Sequence, residues 1–164
     1  MKLKGLKKVN KVVNEFTKQF GVRAELGTEF QAYCDEMIIN YTLTCYADEK
    51  YYFIQDVEER YPYIKADIFL WYLMHEIGHC ITDTFWTETE QEYFMAQKDA
   101  MGCIVDDDIR NDWYHACPDE FFATKWAGDY MTKHPKKIAK FWKKMQAELL
   151  KFYEKNGLLA ENED

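Results

Sequence analysis

The chain has 164 residues, of which 48% are hydrophobic and 17% aromatic, and its formal net charge at pH 7 is −8. That length and composition predict one folded domain with a sizeable core and exclude a low-complexity or compositionally disordered chain, while the negative charge disfavours nucleic acid as a partner. We expect a cytoplasmic protein, because no apolar run could span a membrane, and the five cysteines are odd in number, form no CxxC pair and follow no secretory signal.

The first predicted elements are a helix and a small sheet. Apolar residues at helical spacing predict an amphipathic helix over residues 3–20, which ends at Gly21. β-forming residues then predict three short strands at 28–33, 37–45 and 51–55, with turn-like residues between them. We expect these strands to form a three-stranded antiparallel sheet.

The rest of the chain is predicted to be mainly helical. Periodicity, an Asp67 cap and prolines at helix starts predict four helices, at 67–82, 89–103, 118–132 and 135–156. Residues 105–117 are rich in aspartate and are predicted to form an acidic loop. The resulting fold class is α+β, mainly helical, with the small sheet packed on the helix over 67–82.

The sequence His75-Glu76-Ile77-Gly78-His79 lies inside an apolar run and carries the clearest chemical signal of the chain. On a helix, residues four apart share a face, so His75 and His79 can offer two imidazole nitrogens to one cation. Glu76 lies about 100° around the helix, within reach of a water at that cation. Because polar side chains are costly to bury without a partner, the pattern predicts the two-histidine half of a zinc hydrolase site.

A catalytic zinc site needs a third protein ligand, and a glutamate on another helix is the usual source. Glu120 is favoured because the residues that share its helix face are small enough to let two helices approach closely. Those residues are Ala123, Thr124 and Ala127. Glu92 is followed by bulkier residues and stays the alternative ligand.

The HExxH motif, followed on a later helix by Glu120-x-x-Ala123, resembles the gluzincin metallopeptidases. The order of N-terminal helix, short sheet, HExxH helix and Glu helix is similar to the small single-domain members, the minigluzincins, which include the ImmA/IrrE-type peptidases of mobile elements and bacteria. The run that begins at Pro118 also resembles small phage- or prophage-encoded metallopeptidases. The resemblance covers roughly residues 28–132, and we expect a single zincin-like domain over residues 1–157, with an acidic tail at 158–164.

A zinc-dependent metallopeptidase would hydrolyse peptide bonds through a metal-activated water, with Glu76 as general base. The resemblance implies that an extended peptide pairs with an edge strand near the site, which we expect from 37–45 or 51–55. The expected partner is a protein or peptide substrate, with neither nucleic acid nor a membrane involved.

Further residues are candidates for supporting roles. Charge that develops on the substrate oxygen needs a donor besides the metal, and His115, Tyr114 and Tyr130 are candidates. Asp83 lies four residues after His79 and is better placed to accept a hydrogen bond from a ligating histidine than to bind metal itself.

Two other functions fit the same residues. The chain could be a catalytically silent, zinc-stabilised protein-binding module, or a helical domain without metal whose histidines make ordinary hydrogen bonds. The stretch 83–120 holds eleven acids against Lys98 and Arg110. If this stretch borders a cleft, its charge favours basic substrate segments.

Overall fold

The computed structural model describes residues 5–43 and 47–157, with side chains for 5–43 and 53–157. Its helices are α1 (Leu6–Thr17), α2 (Ala47–Arg60), α3 (Ile68–Thr82), α4 (Glu88–Met101), α5 (Asp107–Ala116), α6 (Pro118–Lys133) and α7 (Pro135–Asn156). Its strands are β1 (Arg23–Leu26), β2 (Gln31–Tyr33) and β3 (Ile38–Tyr41). The predicted α+β, mainly helical class with a small three-stranded sheet is confirmed. The predicted tail at 158–164 lies outside the described residues.

The predicted N-terminal amphipathic helix is α1, extended by a 3₁₀ turn to Phe20. Gly21 ends it in the left-handed region, with φ of 73°, which an L side chain rarely adopts. The apolar face of α1 packs against α7 and β1, where the rings of Phe16 and Phe141 stack 4.0 Å apart. These contacts place α1 on the side of the core formed by α7.

The sheet has the strand order β1-β3-β2, in which β1 runs parallel and β2 antiparallel to the central β3. The sheet is therefore mixed, not wholly antiparallel as expected. β1 was not predicted, and the end of the predicted strand 37–45 falls partly outside the described residues. β3 is the central strand, so the expectation that 37–45 would supply the edge strand is wrong. The edge strand that packs beside α3 is β2.

The predicted strand at 51–55 is also wrong, because these residues lie in α2. Phe53 and Val57 are four residues apart and both buried in the core. That helical spacing lets α2 bury two large side chains on one face, and this burial outweighs the β propensity of the aromatic residues.

The predicted acidic loop at 105–117 is mostly helix α5. The side chain of Asp106 accepts a hydrogen bond from the backbone N–H of Ile109 at 3.0 Å, which caps the helix start. Asp107 and Asp108 then lie in the first turn, where acidic side chains complement the helix dipole. The run of aspartates is thus a helix start and not a loop.

The four predicted later helices are confirmed as α3, α4, α6 and α7. Asp67 caps α3, as predicted, by accepting a hydrogen bond from the N–H of Phe69 at 2.8 Å. α3 runs through the core and packs most extensively on α6. Where the two helices meet, a Cβ added to Gly78 would lie 2.5 Å from the carbonyl oxygen of Ala123.

We predict that Gly78→Ala forces α3 and α6 apart, because the added methyl group meets backbone and not a movable side chain. The free energy of unfolding should fall by about 1–3 kcal/mol, measured by chemical denaturation. Gly102→Ala is the comparison variant, since its Cβ would lie 3.2 Å from the nearest atom, the carbonyl oxygen of Asp99, a tight contact that a shift of a few tenths of an ångström relieves. Equal stability of the two variants would contradict this account of the helix contact.

Candidate metal centre and active site

The two histidines of the HExxH sequence lie on one face of α3 with their Nε2 atoms 3.0 Å apart. His75 is buried, and the side chain of His79 is 14% exposed, so one edge of the pair faces the cleft. Their rings stand nearly perpendicular, with centroids 4.6 Å apart. This arrangement follows from the spacing of four residues, which places both side chains one turn apart on the same face.

Glu120, the third residue of α6, converges on the same point. Its Oε2 atom lies 3.1 Å from Nε2 of His75 and 3.4 Å from Nε2 of His79. The carboxylate is 3% exposed. It reaches the histidines because Gly78 and Ala123 let α3 and α6 approach closely at this level.

The distances among these three ligand atoms fit a metal ion. Four ligands in a tetrahedron with bonds of about 2 Å lie roughly 3.3 Å from one another. The atoms of His75, His79 and Glu120 are separated by 3.0, 3.1 and 3.4 Å. Two ring nitrogens and a carboxylate oxygen this close together need a proton or a cation among them. The buried group can therefore hold a metal ion.

Burial and charge act in opposite directions on the Glu120 carboxylate. Burial alone would raise its pKa, but the charges and hydrogen bonds of His79 and His75 outweigh burial and hold the pKa of Glu120 well below its usual value. Glu120 is therefore ionised at neutral pH, as a metal ligand has to be.

Thr124 orients His75 from the same helix face as Glu120. Its Oγ1 lies 3.0 Å from Nδ1 of His75, while Nε2 of the same ring points to Glu120. If Nδ1 carries the ring proton and donates it to Thr124, Nε2 keeps a lone pair for a cation. The sequence predicted Thr124 only as a small residue at a helix contact.

Asp83 does not make the hydrogen bond to a histidine that the sequence suggested. It lies in a 3₁₀ turn after α3 and accepts a hydrogen bond from Nε2 of Gln91 at 2.9 Å. Burial raises the pKa of Asp83, and the nearby charge of His79 lowers it. Asp83 therefore interacts with His79 only through its charge. The hydrogen bond to a ligating histidine is made by Thr124, at Nδ1 of His75.

Glu76 lines the same cleft as His75, His79 and Glu120 and is buried, with 8% exposure. Burial raises the pKa of Glu76 to about 7; the charge of His75 opposes this rise, and the charge of Glu120 adds to it. The backbone N–H of Ala32, on β2, forms a hydrogen bond with the Glu76 carboxylate. A carboxyl with a pKa near neutrality can both take up and release a proton at working pH.

A cleft of about 420 Å³ opens at this site and is bordered by β2, α3, α4 and α6. Lys98 of α4 enters it and contacts Asp119 Oδ2 at 2.6 Å and Glu120 Oε1 at 2.5 Å. Sequence reasoning missed Lys98 as a site residue, although it is one of two basic residues in the acidic stretch. Tyr114 also lines the cleft, with its ring centroid 5.3 Å from Nζ of Lys98.

The other sequence candidates are placed as follows. Glu92 is exposed on α4 and is not part of the histidine–glutamate group. Tyr130 lies away from the cleft, where its hydroxyl donates to Oε1 of Gln19 at 2.9 Å, so its proposed role as a donor to substrate is wrong. His115 lines a separate cavity with Asp56 and is not among the residues that line the cleft. Only Tyr114 of the three proposed donors lies in the cleft.

No family model, curated protein or solved structure matches this chain. Among the helices that the structure describes, none has the length and apolar character needed to cross a membrane.

We predict that Glu76→Gln stabilises the metal-free protein at pH 8. The raised pKa of Glu76 means that, between about pH 4.5 and 7, the folded state binds more protons than the unfolded state. The free energy of unfolding therefore falls as pH rises through that window. A glutamine at this position stays neutral, so the variant does not lose this stability. In chelator, denaturation should show the variant more stable than wild type by about 1–3 kcal/mol at pH 8 and equal to it at pH 4.

The control for this experiment is Glu92→Gln, which changes an exposed carboxylate on α4. It should leave stability unchanged at both pH values. A Glu76→Gln variant that matches wild type at pH 8 would contradict the assigned cost of the buried charge.

Proposed function

We propose that this protein is a zinc-dependent metallopeptidase of the gluzincin type. The observation that carries the proposal is the convergence of His75, His79 and Glu120 on one point, with the carboxylate of Glu76 beside it. Two imidazoles and one carboxylate form a ligand set of catalytic zinc sites, which leave the fourth position open. The sequence resemblance supports the same assignment.

His75, His79 and Glu120 would hold the zinc ion through Nε2, Nε2 and Oε2. When bound, zinc lowers the pKa of a coordinated water and polarises a carbonyl oxygen. Thr124 would keep the ring of His75 in its ligating orientation through the contact at Nδ1. The closed packing of α3 on α6 keeps these groups in a fixed relation and shields them from bulk solvent.

Glu76 would act as general base and then as general acid. Its carboxylate would take a proton from the attacking water and pass it to the amine that leaves as the peptide bond breaks. In the metal-free protein, burial raises the pKa of Glu76 to about 7, close to the pKa suited to proton transfer at neutral pH. The charge of a bound cation would lower that pKa and favour the ionised form that a general base needs.

An extended peptide would bind along β2, which is the sheet edge beside the cleft. Gln31 and Ala32 of β2 line the cleft together with Glu76, so a peptide paired with this edge would pass the proposed base. The Tyr114 hydroxyl forms a hydrogen bond with the Glu120 carboxylate in this structure, and on substrate binding it would donate instead to the oxygen on which charge develops; burial raises the pKa of Tyr114, which keeps its hydroxyl protonated. We propose a cytoplasmic location for this activity. Cysteines 34, 80, 103 and 117 are free thiols, which is usual in a reducing compartment.

We predict that wild-type protein and Glu92→Ala bind one equivalent of zinc. Glu120→Ala should bind zinc more than about 100-fold more weakly, because losing a metal ligand costs more affinity than losing a residue that only hydrogen-bonds to a ligand. Elemental analysis and competition with a chromophoric chelator measure both quantities. Zinc binding that is lost in Glu92→Ala and retained in Glu120→Ala would contradict the ligand assignment.

We predict that Glu76→Gln keeps zinc but loses hydrolysis by about 10²–10⁴-fold, the usual contribution of a general base. Turnover is measured on quenched fluorescent casein and on a mixed library of quenched peptides, with Glu92→Gln as the control that keeps both properties. Equal hydrolysis by Glu76→Gln and wild type would refute the base. No hydrolysis by zinc-loaded wild type would favour a zinc-stabilised binding module.

A further inference from the structure

The amino group of Lys98 is held between two carboxylates at the proposed metal centre. Its Nζ contacts Oε1 of Glu120 at 2.5 Å and Oδ2 of Asp119 at 2.6 Å. The Lys98 side chain is 26% exposed, and Glu120 is almost fully buried. Lys98 comes from α4, so it links that helix to the start of α6.

The two oxygens of Glu120 have different partners. Oε2 faces Nε2 of both histidines, whereas Oε1 faces the ammonium group of Lys98, and the Tyr114 hydroxyl also forms a hydrogen bond with this carboxylate. Oδ1 of Asp119 accepts a hydrogen bond from the backbone N–H of Glu120 at 2.9 Å. Lys98, Asp119 and Glu120 therefore form a closed ring of contacts that fixes both the side chain and the backbone of Glu120.

We propose that Lys98 is a positioning residue that makes Glu120 bind the metal through Oε2 alone. This inference rests on the proposed function. A carboxylate can bind zinc through one oxygen or through both, and a second bound oxygen would add a fifth ligand beside the water, at the position that catalysis needs for the substrate carbonyl oxygen. By occupying Oε1, Lys98 keeps that position open.

Charge alone gives Lys98 no role in holding the metal. An ammonium group close to a divalent cation repels it, so its positive charge weakens metal binding. If Lys98 served only to neutralise the buried Glu120, its removal would destabilise the fold and leave the metal's coordination number as it was. A positioning role predicts a change in coordination number instead.

The experiment compares full-length Lys98→Met, Lys98→Arg and wild type. Lys125→Met is the matched control, because it removes an ammonium group that pairs with Asp129 on the exposed side of α6. Zinc affinity is measured by chelator competition. The coordination number is measured from the visible absorption of the cobalt-substituted protein, whose bands weaken as four-coordinate Co²⁺ becomes five-coordinate.

Lys98→Met should bind zinc as tightly as wild type, within about threefold, or more tightly. Its cobalt bands should weaken, and its hydrolysis should fall by about 10–100-fold. Lys98→Arg, which restores a donor to Oε1, should recover band intensity and hydrolysis, and Lys125→Met should match wild type throughout.

Unchanged cobalt bands in Lys98→Met would overturn the proposal, as would a tenfold or greater loss of zinc affinity. If Lys98→Met does not fold, Asp119→Asn is the second variant, because it loosens the ammonium group while both partners of the Glu120 contact remain. Its cobalt bands should weaken by a smaller amount, and no weakening would overturn the proposal. If wild type binds neither zinc nor cobalt, the proposed function itself fails.

Discussion

The close approach of α3 and α6 is the constraint on which the candidate site depends. Gly78 has no side chain, and the backbone of Ala123 occupies the space where a Cβ would lie. At this separation a glutamate side chain from the start of α6 reaches two histidines on α3. The same small residues that allow dense helix packing therefore also fix the positions of the ligand atoms.

The electrostatics of the site follow from the burial of two acids in a small volume. Glu76 and Glu120 are both buried, but they respond in opposite ways. Glu120 faces the two histidines and stays ionised, whereas burial raises the pKa of Glu76 to about 7. Two carboxylates on neighbouring helices thereby acquire different properties, one suited to binding a cation and the other to moving a proton.

Sequence signals that act within a few residues predicted most of the helices. The Asp67 cap and Pro118 mark helix starts through interactions within a few residues, so both helices were predictable. The segment 51–55 was mispredicted because the burial of Phe53 in the core, and not the intrinsic propensity of the segment, decides its structure. Glu120 was predictable from the small residues on its helix face. The contacts of Lys98 with Glu120 and of Thr124 with His75 join elements that are distant in sequence, so periodicity within one helix does not reveal these contacts.

The central claim is that one metal ion binds two imidazoles and a carboxylate at this helix contact. X-ray absorption at the zinc edge of the stoichiometrically loaded protein tests it most directly. The account predicts the scattering pattern of two imidazole rings with nitrogen and oxygen neighbours at about 2.0–2.1 Å. A spectrum without imidazole scattering, or one dominated by sulfur at about 2.3 Å from the cysteines, would contradict it.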